Sequence, residues 1–442
     1  MCFKKIHFLL YKFLKGVQLS LKITKLFIIL IFILTAILTI GHKQGLLASK
    51  GKDSSSEEKN KNKELIVWHT LSSYNKEVLK NLTKDYNTHN PSISVRTVFY
   101  SNDKDMVINL MKKDSLPDIV LISTQYIEDL AKKNILVDLS KLIPKKEYQD
   151  IDKRFWKPVE LSGGVYGFPF MYDVFMLFVN QNSLWDIGLR DYREPTNWEE
   201  IEKIASKIHY LDTRKWGIFI PLENIEEFSS YIKSYTGEDI VKEDSITVNG
   251  KSTIRAMQFL QNLIYQRKIM PPKTTLNEAQ SIFLSGKLSV MMSLSSNLVY
   301  TTSNFPYNLD VWKMPAKEGG TYIKSSCLAI IKKNNSKNEK DAFDLIEFLV
   351  NKENSIKWFT HTGVPPLKKS IKDSLVLLLF YENNPNYSIS MFELDRGRVF
   401  PKIKHYYEIN EIIKNAVEEI MINGESPGES LDKAQNRIES LK

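Results

Sequence analysis

Residues with catalytic chemistry occur along this chain, but not in the spacing that catalysis requires. The sequence contains no GxSxG, HExxH, GxxxxGK[ST] or GxGxxG pattern, and its seven histidines are scattered without the spacing of metal ligands. Gly250-Lys251-Ser252 resembles the end of a phosphate-binding loop, but Ser245 stands where the first glycine is required. The two cysteines, Cys2 and Cys327, form no metal or redox motif. These patterns favour a protein that binds a molecule over one that transforms it.

Paired carboxylates are the remaining candidates for acid–base chemistry. Glu199-Glu200 and Glu226-Glu227 each lie on a helical pattern, and we expect both pairs to lie on solvated helix faces. The two carboxylates of a glycosidase need not be adjacent in sequence, so a carbohydrate-active enzyme remains an alternative.

The elements that must position a binding site alternate between strands and helices. Leu65–Trp68, Ile93–Val98 and Ile119–Ile122 are predicted strands, and a helical pattern follows each of them. This order predicts a parallel sheet covered by helices on both faces. Because ligands of such sheets bind outside the carboxyl ends of the strands, we expect a site in the loops after Trp68 and after Ile122.

The second half of the chain continues the alternation. Met171–Asn180 is predicted to be a long strand that carries the chain from one lobe to another. The later predicted helices are Trp198–Ile208, Ile254–Ile264, Ala279–Leu284, Lys340–Leu349, Ile412–Met421 and Leu431–Ser440. The later predicted strands are Trp216–Ile220, Lys287–Met292, Asp310–Met314 and Ser325–Ile331.

The basic character of the chain belongs to its N-terminus. The 442 residues include 61 Lys and Arg against 52 Asp and Glu, but eight lysines and no acidic residue lie in the first fifty positions. Without them the charges nearly balance. A protein that binds a nucleic acid backbone concentrates positive charge in the fold itself, so we expect no nucleic acid partner.

The N-terminal segment predicts export. The apolar run Leu26–Ile40 follows lysines and is just long enough to span a bilayer, which places the remainder outside the cytoplasmic membrane. Ile40-Gly41-His42 is a poor cleavage site, so an uncleaved anchor is favoured over a signal peptide. No cysteine lies just after the run, where a lipoprotein anchor would require one. We therefore assign residues 1–49 to an anchor or signal segment and 50–63, which is charged and Ser-rich, to a flexible linker.

From Leu65 to the C-terminus the chain resembles the family 1 extracellular solute-binding proteins, the group that includes the maltose-binding and glycerol-3-phosphate-binding proteins. The matching segments occur in the family's order, and this order carries the resemblance more than any single motif does. They are Trp68-His69-Thr70, Leu116–Val120, Gly164–Phe170, Phe178–Asn180, Gly188-Leu189 with Pro195–Glu200, Phe283–Met292, Asp341–Leu349, and Trp358 with Thr362–Pro366.

The resemblance implies an α/β fold of the two-lobed periplasmic-binding-protein type (type II-like), with parallel-rich sheets flanked by helices and a ligand cleft between the lobes. It places one lobe at 64–174 plus 320–372 and the other at 175–319 plus 373–442. It further implies a monomer without cofactor, metal or catalytic residues. Its partners would be a small solute, namely a sugar or polyol with or without phosphate, an ABC permease and, through the permease, an ATPase.

The resemblance also supplies candidate ligand contacts, because a sugar site combines aromatic faces with a few placed polar groups. The candidates are Thr70, Ser72, Ser123, Thr124, Tyr172, Asp173, Trp216, Phe219, Ser295, Ser296, Ser325, Ser326, Arg396 and Arg398.

Several of these candidates have a purely structural alternative. Thr70 and Ser72 are equally suited to cap the next helix, and Trp216 or Phe219 to pack in a core. The two arginines of Asp395-Arg396-Gly397-Arg398 suit a phosphate or carboxylate, or else a surface pair with Asp395. Lys402 lies nearer than either arginine to the position at which the family's glycerophosphate branch carries a phosphate-binding arginine.

Three functions are compatible with these observations. The first is the solute-binding subunit of an importer. The second is a surface-anchored carbohydrate enzyme, which requires two convergent carboxylates. The third is a sensor that keeps the fold but has lost transport, since a fold does not dictate function.

Overall fold

A mixed sheet runs through the part of the chain that the structure describes. This computed structural model describes residues 63–112, 115–242, 245–316, 320–333 and 336–441, so the predicted membrane segment and nearly all of the predicted linker lie outside it. The strands are β1 (Lys63–His69), β2 (Ile93–Phe99), β3 (Ile119–Ser123), β4 (Glu160–Leu161), β5 (Gly164–Val165), β6 (Phe168–Asn180), β7 (Trp216–Phe219), β8 (Val241–Lys242), β9 (Ser245–Ile246), β10 (Leu288–Leu294), β11 (Leu309–Trp312), β12 (Tyr322–Ile330) and β13 (Arg398–Val399).

The strand β6 belongs to both halves of this sheet. Its first part pairs antiparallel with β12, and β12 continues through β3 to the parallel strands β1 and β2. Its second part, from Phe175 to Asn180, pairs antiparallel with β10 and β11, and β10 continues to the parallel strand β7. All but one of its thirteen side chains are buried, which fits its continuous apolar and aromatic sequence. The strand predicted at Met171–Asn180 therefore exists and joins the two halves.

Helices cover the sheet and carry their own start and stop signals. The helices are α1 (Ser73–His89), α2 (Asp103–Lys112), α3 (Ile127–Lys132), α4 (Lys145–Asp150), α5 (Lys153–Trp156), α6 (Gln181–Asp186), α7 (Trp198–Leu211), α8 (Ile225–Thr236), α9 (Lys251–Tyr265), α10 (Leu276–Leu284), α11 (Leu298–Asn304), α12 (Ser336–Leu349), α13 (Lys352–Thr362), α14 (Lys369–Lys372), α15 (Leu375–Asn383), α16 (Pro385–Arg396), α17 (Tyr406–Met421) and α18 (Pro427–Glu439). Thr275 and Glu278 form a capping box on α10, and Gly363 ends α13 in the left-handed conformation.

Each half of the sheet is covered by its own helices. In the first half α1 packs on β2 and α12 on β12. In the second half α7 packs on β7 and α10 on β10, while α16 covers the junction by packing on β6 and β11. Both halves contribute to a continuous hydrophobic core. Among the described residues, none of these helices is both long and apolar enough to cross a membrane.

Candidate functional site

Asp173 lies on the shared strand β6 and links it to the loop after β10. It is the direct cross-strand partner of Lys324 on β12. Its Oδ1 accepts a hydrogen bond from Ser295 Oγ at 2.6 Å and another from the Ser296 N–H at 3.0 Å. Its Oδ2 is buried and has no hydrogen-bond partner among the described residues. Because an unpaired buried oxygen is costly, this atom is placed to accept a bond from a bound molecule.

The predicted residues after β1 and β3 meet at the start of α2. Thr70 Oγ1 donates to Asp103 Oδ1 at 2.9 Å, and the Ser123 N–H donates to Asp103 Oδ2 at 3.3 Å. Asp103 follows β2, so the carboxyl ends of three neighbouring parallel strands converge here. This is the edge at which ligands of such sheets bind.

Strand β12 brings two further predicted residues to the same region. Ser325 Oγ and Thr124 Oγ1 form a buried hydrogen bond of 2.6 Å. Ser326 is the register partner of Ser123 on β3. Because successive side chains of a strand point to opposite faces, the hydroxyl of Ser326 lies on the other face of β12 from the Ser325–Thr124 pair.

The partly exposed Lys324 is attracted by four carboxyl groups. Asp103 and Asp173 belong to the first half of the sheet and its shared strand, while Glu226 and Glu227 begin α8 in the second half. Burial lowers the pKa of Lys324, but the attraction of these four carboxylates outweighs burial and leaves that pKa raised. We call these five residues the acidic cluster.

The expectation of a solvated face is wrong for Glu226-Glu227, whose residues are only 2% and 4% exposed. They occupy the first turn of α8, where the helix dipole favours negative charge. Asn224 caps the helix by accepting from the Glu227 N–H at 3.0 Å, and Glu227 Oε2 accepts from the Glu223 N–H at 2.7 Å. Burial raises the pKa of Glu226, and burial raises the pKa of Glu227 to about 7 against the partial compensation of Lys324.

Two tyrosines provide an aromatic wall beside the cluster. Tyr126 and Tyr406 pack edge to face with ring centroids 5.9 Å apart. Burial raises the pKa of Tyr406, and nearby Glu226 raises it further. Burial raises the pKa of Tyr126, and nearby Asp103 raises it further. Carboxylates beside aromatic faces are the usual composition of a site for a polar organic molecule.

Four predicted contacts lie in packing or capping positions. Tyr172 is fully buried in the core. Trp216 stacks on His209 at a centroid distance of 6.0 Å. Phe219 lines a separate cavity of about 400 Å³ in the second half. Ser72 caps α1 by accepting from a backbone N–H at 3.4 Å, as its structural alternative predicted.

The two predicted arginines are each paired inside the protein. Arg396 bonds to the buried carboxylate of Glu393, with Nε to Oε2 at 2.9 Å. Arg398 bonds to Asp239 Oδ2 at 3.0 Å. The alternative that these arginines pair with Asp395 is wrong, because Asp395 is bound by a lysine of α14.

Sequence reasoning missed much of the acidic cluster and its aromatic wall. Asp103 lies just after β2, at an edge to which the strand-edge argument applies equally. Lys324 is a lone charge in the otherwise uncharged strand YIKSSCLAI, and such a charge is a signal for a site. Tyr126 lies in the segment directly after β3, where the strand-edge argument predicts a site, whereas Tyr406 had no sequence signal.

Glu227 leads to a prediction about stability and pH. Its pKa rises from 4.5 to about 7 on folding, so the folded protein holds this proton more tightly than the unfolded chain does. Stability contributed by Glu227 is therefore present below pH 4.5 and is lost as the pH rises through 7. Glu227→Gln is expected to raise the free energy of unfolding by about 2–3 kcal/mol at pH 8 and not at pH 4. Urea unfolding at both pH values measures this.

The matched control is Glu429→Gln, because Glu429 also lies in the first turn of a helix, α18, but is exposed. We expect no pH-dependent gain from it. A Glu227→Gln protein that is less stable than the wild type at pH 8 contradicts the buried-charge explanation.

Comparison with known proteins identifies the fold and the family. Residues 79–387 match the family model described as bacterial extracellular solute-binding protein. A Brucella abortus binding protein is 23% identical over 81% of this chain and 88% of its own. The Escherichia coli sn-glycerol-3-phosphate-binding periplasmic protein UgpB is 20% identical over 85% of this chain and 91% of its own.

Solved structures show the same architecture. UgpB from Mycobacterium tuberculosis, in complex with glycerophosphocholine, has a TM-score of 0.77 at 17% identity and covers 86% of this chain and 98% of its own. Maltose-bound MalE3 of T. maritima has a TM-score of 0.77 at 18% identity and covers 86% of this chain and 100% of its own.

The chain belongs to the bacterial extracellular solute-binding proteins and has their two-lobed α/β fold. It is a solute-binding protein, as the resemblance predicted, and the relatives named here are binding proteins and not enzymes.

Proposed function

We propose that this chain is the extracytoplasmic solute-binding subunit of an ABC importer. In this proposal it closes around a sugar or polyol and delivers it, unaltered, to a membrane permease that works with an ATPase. It acts as a monomer tethered by the segment Leu26–Ile40. The proposal needs no cofactor and no catalytic residue.

The observation that carries the proposal is that the residues of the acidic cluster come from both halves of the fold. Its members come from both halves of the sheet, on either side of β6, so a molecule held there contacts both at once. We assign the lobes as predicted, with 64–174 plus 320–372 in one and 175–319 plus 373–442 in the other. In two-lobed proteins such a site closes by rotation about the strands that join the lobes.

The groups of the site suit hydroxyl-rich solutes. Carboxylates accept bonds from hydroxyl groups, the serine and threonine hydroxyls both donate and accept, and the tyrosine faces cover C–H surfaces. Desolvated hydroxyls need partners, and this requirement gives the site its selectivity. Names of the relatives support the same class, since UgpB binds sn-glycerol-3-phosphate and MalE3 was solved with maltose.

A panel of sugars, polyols and their phosphates tests the proposal by thermal melting of the compact unit Lys61–Lys442. A solute that binds only the folded state raises the midpoint, and at about 100 times the dissociation constant the expected rise is several degrees. A rise with one class of solute, without product, is the predicted result. No rise with any member of the panel contradicts the proposal.

A carbohydrate-active enzyme is the second candidate, because the cluster contains convergent carboxylates of which Glu227 has a pKa of about 7. This candidate predicts conversion of the solute during the same incubation. Product analysis therefore separates the two candidates.

A further inference from the structure

The helix α15 turns an apolar face outward. Its sequence LVLLLFYEN carries no charge before Glu382 and is apolar on every side instead of on one face. Among its first five residues Leu377 is buried, and the other four aliphatic side chains are each more than half exposed: Leu375, Val376, Leu378 and Leu379. A helix that is apolar all round is normally covered, so the outward face of α15 requires a partner.

The helix is firmly attached to the protein by its inner face. Leu377 is fully buried, and the rings of Phe380 and Tyr381 lie with their centroids 6.0 and 5.9 Å from that of Phe359 on α13. These contacts hold the opposite face, which carries the four exposed aliphatic side chains, in a fixed outward position.

This concentration of exposed apolar side chains departs from the rest of the described surface. Tyr210 and Leu211, at the end of α7, are as exposed but form only a pair, and small groups of this kind are normal. The surface helix α17 buries residues such as Ile412 and exposes residues such as Lys414 and Glu418. An ordinary surface helix of this protein is therefore amphipathic, and α15 is not.

The size of the exposed face argues against a second copy of this chain as its cover. Four aliphatic side chains that are each about half exposed or more present an area on the order of a few hundred Å². A stable dimer buries about 800 Å² on each partner. The face is too small for such a dimer, but it is large enough for a weak contact that a tether supports.

The composition of α15 suits the boundary between lipid headgroups and acyl chains. Its nine residues make a helix about 13 Å long, which is too short to cross a bilayer but can lie in its surface. The lack of charge from Leu375 to Tyr381 matters because a charged side chain is costly to bring among acyl chains.

The predicted membrane segment would hold the folded part of the chain beside a bilayer. That segment ends at Ile40, and the intervening residues 41–62 span at most about 80 Å even when fully extended. A folded unit of this size has a radius of gyration of about 21 Å, so any of its faces can reach the membrane. A tether raises the effective concentration of a weak contact without choosing the face that makes it.

We propose that the outward face of α15 lies on the outer surface of the bilayer in which the chain is tethered. Leu375, Leu378 and Leu379 then reach the boundary between headgroups and acyl chains, and this contact determines which side of the folded unit faces the membrane. The inference rests on the tether in the proposed function and adds to it a surface that binds lipid.

Lipid quenching of a fluorescent label tests this contact in the full chain. Leu379→Cys is labelled with an environment-sensitive dye in a Cys2→Ser background, since the remaining Cys327 is buried. The chain is inserted into vesicles of phosphatidylethanolamine and phosphatidylglycerol, with and without a nitroxide-bearing lipid. We expect at least about 3-fold more quenching there than with the label at Leu211→Cys, a similarly exposed site on α7.

A double variant separates the helix from the label. Leu375→Gln with Leu378→Gln, in the labelled Leu379→Cys chain, is expected to lower the quenching to that of the label on α7. Glutamine has nearly the helix propensity of leucine, so α15 itself should persist. Tyr210→Gln is the matched control and should leave the quenching unchanged, because Tyr210 is exposed on another helix.

Four results would overturn the inference. Equal quenching at the two labelled sites means that the tethered unit has no preferred face. Quenching that survives the double variant means that the dye, and not α15, enters the lipid. A label that is shielded from water but not quenched, in proportion to the density of protein in the vesicles, identifies a second copy as the cover. Extraction of the chain by alkaline carbonate contradicts the proposed tether and the inference with it, while solute binding is unaffected.

Discussion

Replacing Lys324 with methionine is expected to lower the free energy of unfolding by about 2–4 kcal/mol at pH 8. The change removes the ammonium group and leaves four carboxyl groups facing one another, which is the costly way to break a buried charge cluster. Because the pKa of Lys324 is raised on folding, its contribution is complete below the ordinary lysine pKa and is lost only as the pH rises above it. Urea unfolding followed by tryptophan fluorescence measures the loss.

The loss should depend on pH in a defined direction. Without Lys324 the carboxyl groups keep their protons to higher pH, so the variant loses stability as the pH rises from 4 to 8 and approaches the wild type at pH 4. Lys340→Met is the control, since Lys340 is exposed and pairs only within its helix, with Asp344. An equal effect of the two changes at pH 8 would mean that the acidic cluster does not exist as described.

Gly363→Ala should be at least as damaging, for a steric reason. Gly363 has φ +86°, and a Cβ there would lie 2.3 Å from the carbonyl oxygen of Ser295. Positive φ and overpacking together predict a loss of about 2–6 kcal/mol. Because Ser295 and Ser296 hold Asp173, the displaced loop should also weaken solute binding. Unfolding and titration of the same protein measure both effects.

Gly188→Ala is a matched control for the backbone part of this effect. Gly188 has φ +83°, but a Cβ there meets no atom within 4 Å. It should cost only the backbone strain of about 1–3 kcal/mol and leave binding unchanged. If Gly363→Ala and Gly188→Ala have equal effects on stability and binding, the predicted steric clash with Ser295 is contradicted.

The sequence predicted the elements well where the apolar pattern was strong. The strand predicted at Met171–Asn180 was found as β6 (Phe168–Asn180), and the helix predicted at Ile254–Ile264 as α9 (Lys251–Tyr265). In such strongly apolar segments, the spacing of the apolar residues shows whether the segment is a helix or a strand and which of its faces is buried. The predicted order of strands and helices therefore gave the correct class of fold.

The strand pairing could not be obtained from the same pattern. The predicted opening of the sheet is parallel, as found for β1, β2 and β3, but β12 and β6 run antiparallel to their neighbours. An apolar run has the same appearance in either orientation. The direction depends on where the chain returns after residues distant in sequence, and one sequence does not report that.

The site was predicted in part, for a physical reason. Thr70 and Ser123 were predicted from strand ends, and both bond to Asp103. Asp173 was predicted from family position, and it bonds to the predicted Ser295. Glu226 and Glu227 were misjudged because a charged pair in the first turn of a helix usually faces water. Here the helices α9 and α17 and the strand β12 pack against α8, and only the fold reveals that packing.

The residues of the acidic cluster affect both stability and function. The cluster places like charges together, which costs stability in the absence of a partner of opposite charge. Such a cost is expected at a binding site, because the solute supplies the missing interactions. Glu227→Gln should therefore be more stable at pH 8 and bind the solute less well, while Glu429→Gln should do neither.

The most direct test of the central claim is a calorimetric titration of Lys61–Lys442 with the solute that stabilises it most, followed by mass spectrometry of the recovered solute. The account predicts saturable one-to-one binding and a solute returned unchanged. Conversion of the solute would contradict a binding protein and favour the carbohydrate enzyme. The absence of saturable binding would contradict the assignment of a functional solute site to the acidic cluster.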